Sequence, residues 1–303
     1  PYHAGTSALV AEAILKAISY CGLPKEIFSH LGGFSHRIGG ELVSHPLLKG
    51  VGFTGSLSGG KALYDLAQKR EEPIPVFAEM GSVNPILITE KRLLSDKNLS
   101  ETLANSIAQG TGQFCTNPGM IILCDPQGIS KITSKVIDHL SKMILPPMVH
   151  INIEKNYLLQ LDKLQENEAV KLVRTSSSNS AIGVVSAEDV LKNKKLTEEI
   201  FGPFSLFVEC KSMNQLKDLV KIIPGQLTAT ILAHKDDHSE LVPLVTQLKN
   251  KVGRLLFEGV PTGVAVNQAM QHGGPYPAST DGRYTSIGTD AIFRWLRPIT
   301  FQD

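Results

Sequence analysis

The hydrophobic positions along the chain alternate between two periods, and that alternation predicts the architecture. From Thr6 to Cys21 the apolar residues Val10, Ala13, Ile14, Ala17, Ile18 and Cys21 recur at helical spacing, with Thr6 or Ser7 as the N-cap and Gly22 and Pro24 as the stop. An extended stretch at Glu26 to Leu31 follows, then Gly32-Gly33 and a short helix around Ile38 to Ser44. Gly50 to Phe53 reads as a strand and Ser58 to Arg70 as a helix. After Pro73 come strands at Pro75 to Ala78 and Pro85 to Thr89, a helix over Leu99 to Gln109, and a strand at Met120 to Cys124. Further on, helices are expected near Ile129 to Met143, Met213 to Ile222 and Ser239 to Lys249. Strands are expected near Val170 to Arg174, Ala181 to Val185, Phe204 to Cys210, Leu227 to Ala233 and Arg254 to Phe257. Strands interleaved with helices imply an α/β fold with parallel sheets.

The sheet pattern restarts near Gly81. This divides the chain into residues 1–81, residues 82–283 and a C-terminal extension at 284–303. The first unit carries only two or three strands of a doubly wound sheet, which ordinarily has about six. An isolated half-sheet leaves an unpaired edge, so part of this unit is expected to be missing. The chain also opens on Pro1, in what reads as the middle of a loop leading into the first helix, so any targeting signal is not legible.

Composition adds exclusions. A net charge of +1 over 303 residues, with 42% apolar and 19% charged positions, favours neither nucleic acid nor an anionic membrane as partner. Lys192, Lys194 and Lys195 read as a solvated helix end. No apolar run reaches the roughly 20 residues that cross a bilayer. The four cysteines, Cys21, Cys115, Cys124 and Cys210, lack both the paired spacing of a metal site and the density of a disulfide framework. No metal is therefore expected, and a reducing, cytoplasmic location is.

Three features bear on chemistry. Phe53-Thr54-Gly55-Ser56, between a strand and a helix, reads either as an ordinary N-cap or as a site where N–H groups and hydroxyls hold a phosphate. Cys115 lies in Gly112-Gln113-Phe114-Cys115-Thr116-Asn117-Pro118-Gly119, a run too rich in turn formers to be regular, where backbone N–H groups are available to a thiolate and to an oxyanion. Cys21, Cys124 and Cys210 sit in apolar surroundings and read as inert. Glu79, at the end of a strand between Ala78 and Met80, is either a solvated carboxylate or a buried base of raised pKa. Glu199 is equally ambiguous.

Taken in order, these segments resemble the aldehyde dehydrogenase family. Phe53-Thr54-Gly55-Ser56, Glu79-Met80-Gly81, Gly112-Gln113-Phe114-Cys115 and Glu199-Ile200-Phe201-Gly202-Pro203 follow that family's motifs in sequence and interval. The variants Ser82-Val83-Asn84-Pro85, His272-Gly273-Gly274-Pro275-Tyr276-Pro277-Ala278 and Asp281-Gly282-Arg283 look like its α-ketoglutaric semialdehyde (2,5-dioxovalerate) branch, with an NADP-dependent fatty-aldehyde enzyme as the nearest alternative. The resemblance implies a partial Rossmann-type cofactor domain followed by an α/β catalytic domain. It implies NAD or NADP as cofactor, a small aldehyde as substrate and a homodimer or homotetramer. By position, Cys115 is the nucleophile that becomes a thioester and Glu79 activates the hydrolytic water. Thr54, Gly55, Ser56, Gly33, Met80, Glu199 and Phe201 are implied as cofactor contacts, and Arg283 is a candidate for a substrate carboxylate.

The family's catalytic asparagine and its adenosine-binding lysine have no counterpart within these residues. The resemblance therefore implies an incomplete polypeptide of low activity, down about a thousandfold from one missing oxyanion donor alone. Two other classes stay open. A non-catalytic relative would serve assembly or binding. A cysteine hydrolase would need a histidine partner for Cys115, and none of the nine histidines lies in a recognisable partner motif.

Overall fold

A computed structural model describes residues 3–33, 35–125 and 128–303; the loop expected at Pro1 and Tyr2 lies outside them. In chain order the elements are α1 (Ala4–Tyr20), α2 (His36–Ser44), β1 (Val51–Thr54), α3 (Leu57–Gln68), β2 (Val76–Glu79), β3 (Ile86–Ile88), α4 (Glu90–Ser95) and α5 (Leu99–Ala108). There follow β4 (Met120–Leu123), α6 (Gly128–Ser141), α7 (Ile151–Gln165), β5 (Lys171–Arg174), β6 (Ala181–Ser186), α8 (Ala187–Lys192), β7 (Phe204–Glu209), α9 (Met213–Ile222), β8 (Gln226–Leu232), α10 (His238–Leu248) and β9 (Val252–Leu256).

The strands form two sheets. β1 and β2 make a two-stranded parallel sheet, and the others a seven-stranded sheet in the order β5-β6-β7-β4-β3-β8-β9, parallel except for β5 against β6. Its central strands are buried on both faces, and alternate residues feed two cores. Leu87, Ile122, Leu206, Val208 and Ile231 meet α7 to α10 through Tyr157, Leu161, Leu219 and Leu244. Ile86, Ile88, Ile121, Leu123 and Phe207 meet α5 and α6 through Leu103, Ile107, Ile132 and Val136.

The small sheet is joined to the large one by the chain's C-terminal part. Residues 278–280 run antiparallel beside β2: Met80 N–H donates to Ala278 O (2.8 Å) and Thr280 N–H to Ala78 O (3.0 Å). Trp295 lies over Gly50 and Gly52 and packs edge-on against Phe77, ring centroids 5.4 Å apart. It therefore covers a glycine surface of β1, while half of it and of Phe293 stays exposed.

Three expectations change. The extended stretch Glu26 to Leu31 is extended only after its start: Lys25–Ile27 forms a single 3-10 turn after Pro24, Phe28 is extended, and among the described residues no strand pairs with it. α1 starts earlier than Thr6, with His3 at the N-cap position, and of its expected apolar stripe only Ile18 is buried; the other buried residue, Ala11, lies outside that stripe. Cys21 is exposed at its end, not covered. In addition α7, capped by the side chain of His150 and facing inward through Tyr157 and Leu161, escaped the periodicity reading. Among the described residues no helix is long and apolar enough to cross a membrane.

Candidate active site

The four motifs, far apart along the chain, meet where the carboxyl ends of β1 and β2 face the amino ends of β3, β4, β7 and β8. Register makes the first junction. Thr54 pairs with Glu79 across the small sheet, and Gly55 N–H donates to Glu79 O (3.1 Å). This sets Thr54, Gly55 and Ser56 beside Glu79. Ser56 caps α3, its Oγ accepting from Gly59 N–H (3.2 Å), so the plain capping role is present. Residues 54–58 are exposed, leaving the helix start open to a phosphate. Met80 is buried against Gly60, where a Cβ would collide with its sulfur. Gly33 lies apart, in the loop before α2, packed on Ile38.

The loop carrying Cys115 is shaped by three consecutive residues of left-handed backbone, Gly110 (φ 59°), Thr111 (φ 57°) and Gly112 (φ 67°). Glycine suits two of them; a β-branched residue such as Thr111 is held there only by its surroundings, including a bond from its Oγ1 to Pro146 O (2.9 Å). Gly112 has a further reason to be glycine, because a Cβ there would overlap the backbone carbonyl of Gly202. Asn117 ties the same two loops, its Nδ2 donating to Gly112 O (3.0 Å) and Gly202 O (2.8 Å). The Glu199 carboxylate lies over Gly81, and burial pushes it up to about 7, against a bond from Ser82 that lowers it. Phe201 is half-buried between Glu199 and Gly202.

Behind the loop stands an amide hub that sequence reasoning missed. Asn84, fully buried at φ 45°, donates through Nδ2 to the carbonyls of Ser82 (3.2 Å), Cys115 (2.9 Å) and Asn117 (2.9 Å). Its Oδ1 accepts from the hydroxyls of Ser82 (2.9 Å) and Thr228 (3.0 Å). Gln226, at the start of β8, accepts at Oε1 from Val83 N–H (2.6 Å), Asn84 N–H (3.1 Å) and Ser82 Oγ (2.9 Å). Every polar atom of the Asn84 side chain is used, which fixes the Cys115 backbone from below.

In front of the loop the fold supplies a histidine. His272 Nε2 lies 3.6 Å from Cys115 Sγ, and Nδ1 lies 2.8 Å from Glu79 Oε2. Ser286 Oγ donates to the same carboxylate oxygen (2.8 Å), and Thr285 Oγ1 accepts from His272 N–H (3.0 Å). The side chains of His272 and Glu79 are nearly buried, and Cys115 is half-exposed. Hydrogen bonds to Cys115 and Glu79 push His272 up to about 9, against burial, which lowers it. No sequence motif marks His272 as a partner, yet the fold brings it to Cys115. His272 was visible only as the head of His-Gly-Gly, and Gly253, whose Cβ would overlap Gly273 O, lets that segment close onto β9.

Two arginines separate. Arg283 is exposed and clamped to Asp281 (Nε to Oδ1 2.9 Å), stacking on Tyr284; it is not drawn into the cluster. Arg254, on β9, is half-buried and donates to Pro261 O (2.8 Å) and Gly263 O (3.4 Å), with no carboxylate partner among the described residues. Burial lowers its pKa, and the charge of Cys115 opposes that. Cys124 and Cys210 adjoin across β4 and β7. Cys210 is buried and Cys124 half-buried, and the hydrogen bond between them and burial push the Cys124 thiol up. Both fit the inert reading.

A sequence profile described as the aldehyde dehydrogenase family matches residues 3–283. The chain belongs to that family. It is 40% identical over 99% of its length to an alpha-ketoglutaric semialdehyde dehydrogenase of Acinetobacter baylyi, and 39% identical over 99% to alpha-ketoglutaric semialdehyde dehydrogenase 2 of Azospirillum brasilense. In each case it spans 59% of the relative's length. Among solved structures, proline utilization A of Bdellovibrio bacteriovorus superposes with a TM-score of 0.78 over 96% of this chain and 31% of that one, at 20% identity. A mutant of the 1-pyrroline-5-carboxylate dehydrogenase of Thermus thermophilus gives 0.71 over 88% and 53%, at 21% identity. These likenesses place the α/β architecture within the aldehyde dehydrogenase fold.

Proposed function

We propose that this chain carries the thiol chemistry of an NAD(P)-dependent aldehyde oxidation, with α-ketoglutaric semialdehyde as the substrate class. The observation that carries the reading is the convergence of Cys115, His272 and Glu79 beside the Thr54–Ser56 helix start. Cys115 Sγ attacks the aldehyde carbon, giving a thiohemiacetal whose oxygen is received by N–H groups of the Cys115 loop. Bound NAD or NADP supplies the hydride acceptor. The exposed start of α3, where Ser56 and Ser58 present hydroxyls 3.1 Å apart, would hold its pyrophosphate, and Glu199 and Phe201 would hold its nicotinamide end. The resulting thioester on Cys115 is hydrolysed by a water that Glu79 deprotonates. His272, bonded to both groups, takes up the Cys115 proton and orients the Glu79 carboxylate.

The terminal carboxylate of such a semialdehyde needs a cation free of an acidic partner. Arg254 meets that requirement better than Arg283, which Asp281 already holds. Residues 1–303 alone are expected to turn over slowly, because a two-stranded sheet gives a dinucleotide little of the surface that a full doubly wound sheet does. A longer polypeptide supplying the neighbouring strands is expected to be faster.

The test is the appearance of reduced nicotinamide with the semialdehyde and either cofactor. Wild type is expected to exceed Cys115→Ala by at least a thousandfold, and Glu79→Gln to release about one equivalent quickly and then stall. Equal rates in wild type and Cys115→Ala, in the longer polypeptide as well, would sink the reading. The His272 contact favours one second reading, a cysteine hydrolase. Ester hydrolysis lost in His272→Asn, with no nicotinamide-dependent oxidation, would select it; an unreactive Cys115 thiol would select a binding or assembly role instead.

A further inference from the structure

Cys115, His272 and Glu79 present one sulfur, one imidazole and one carboxylate whose ligand atoms all lie within 4.8 Å of one another. We propose that Cys115 and His272 bind a soft divalent cation of the zinc class, with Glu79 holding the imidazole, and that occupancy reversibly masks the sulfur. The two ligands stand 157 positions apart, which hides this from any spacing motif.

Geometry comes first. Zinc bonded to sulfur at about 2.3 Å and to imidazole nitrogen at about 2.0–2.1 Å in a tetrahedron sets those atoms about 3.5–3.6 Å apart. The Sγ to Nε2 distance is 3.6 Å, so a cation seats between them with little rearrangement. The orientation of the ring is the second point. A ligating histidine ordinarily bonds through its other nitrogen to a carboxylate, which fixes the tautomer and leaves a lone pair for the metal. Nδ1 of His272 has that partner in Glu79 Oε2 at 2.8 Å, with Ser286 Oγ at 3.2 Å as a second contact. Glu79 is in turn held by the Ser286 hydroxyl, so the support is two layers deep.

Charge and access complete the case. Binding displaces the protons that Cys115 and His272 hold between them, leaving a thiolate and a neutral imidazole, and the Glu79 carboxylate beside them adds a second negative charge for the cation, with the Arg254 guanidinium opposing it. The half-exposure of Cys115 leaves an entry side, and the remaining coordination positions fall to water. Thiolate with imidazole selects zinc over magnesium or calcium, which want oxygen. Among the described residues no other cysteine has such a neighbour: Cys124 and Cys210 face each other without a histidine, and the His234, Asp236 and Asp237 group has no thiol.

Binding itself needs only the two ligand atoms; the loss of oxidation that follows rests on the aldehyde reading. The experiment is competition for Zn2+ against a chromophoric chelator, using the purified protein without nicotinamide or aldehyde. Wild type is expected to withdraw one more equivalent than either Cys115→Ala or His272→Asn. Glu79→Gln is expected to keep the stoichiometry with about 10–100-fold weaker affinity. Zn2+ should also slow iodoacetamide labelling of Cys115 in wild type, EDTA should restore it, and Mg2+ should do nothing. Since the labelling arm uses wild type alone, a variant that misfolds does not remove the test. Equal zinc uptake by wild type and both folded ligand variants, or labelling of Cys115 indifferent to Zn2+, would overturn the proposal. Aldehyde oxidation indifferent to Zn2+ would overturn it too, while leaving the dehydrogenase reading intact.

Discussion

The two sheets are built from similar alternations of strand and helix, yet they are supported very differently. In the large sheet every residue of β3, β4 and β8 is buried, and the Cys115 loop is tied by the side-chain amides of Asn84 and Asn117, with Gln226 holding the Asn84 backbone. In the small sheet β1 alternates between half-buried and exposed, and α1 leaves Leu9, Val10 and Leu15 largely uncovered. The sulfur is thus mounted on the more deeply buried region, and the Thr54–Ser56 turn on the one with less to hold it. Chemistry needs sub-ångström placement of the reacting atom, and a strand set buried on both faces supports such placement better than a two-stranded sheet does. On this view the two regions should respond unequally to damage.

The largest effect is expected from Gly112→Ala. The substitution adds a side chain at left-handed φ and forces it into the Gly202 carbonyl, which a backbone shift alone relieves. A loss on the order of 4–5 kcal/mol, read from urea denaturation, is expected, together with slower alkylation of Cys115. Asn84→Ala follows. It strands three buried carbonyls and is expected to cost about 3 kcal/mol, again in the large-sheet transition. Were either substitution to be neutral, the claimed rigidity of the Cys115 mount would be wrong.

Arg254→Gln sharpens the comparison on the substrate side. It is expected to raise the KM of a carboxylate-bearing semialdehyde by about 10–100-fold, and to leave a neutral aldehyde of equal length within about twofold. His272→Asn acts through pH. Because the folded protein raises this pKa from 6.5 to about 9, it binds the proton more tightly than the unfolded chain does. The contribution is therefore full below about pH 6.5 and is lost as pH rises through about 9. The melting-temperature advantage of wild type over His272→Asn should shrink across that window, with Cys115, Glu79 and Arg254 as the other charged neighbours. The smallest effect belongs to the small sheet: Ser56→Ala removes the cap of α3 and should cost about 1 kcal/mol, read as faster amide exchange confined to α3.

Much of this was legible in the sequence because period and punctuation act locally. The strands of the large sheet and the helices α5, α6, α9 and α10 fall where their apolar spacing predicts, since each buries one face or both. The motif residues are legible singly because glycine, cysteine and a strand-end acid each have few reasons to be where they are. What stayed hidden was long-range. His272 and Asn84 carry no local sign of their partners, which arrive only when β9 closes on Gly273 and β3 lies beside the Cys115 loop. The 3-10 turn at Lys25–Ile27 inside the expected extended stretch follows Pro24, and among the described residues no strand pairs with the rest of it; pairing, not propensity, decides a strand. Arg283 and Arg254 are indistinguishable as letters; the difference is that Asp281 lies within reach of one and not the other.

That the reactive loop hangs from a side-chain amide also has a bearing on how the protein ages. Asparagine hydrolyses spontaneously when the next backbone nitrogen attacks its side-chain carbonyl, and the product would replace the donor that serves three carbonyls with a negative oxygen. Residue 85 is proline, whose nitrogen bears no hydrogen and is closed to that ring-forming step. The hook is chemically shielded by its own neighbour, so the sulfur's mounting is set to outlast the asparagines of the open surface.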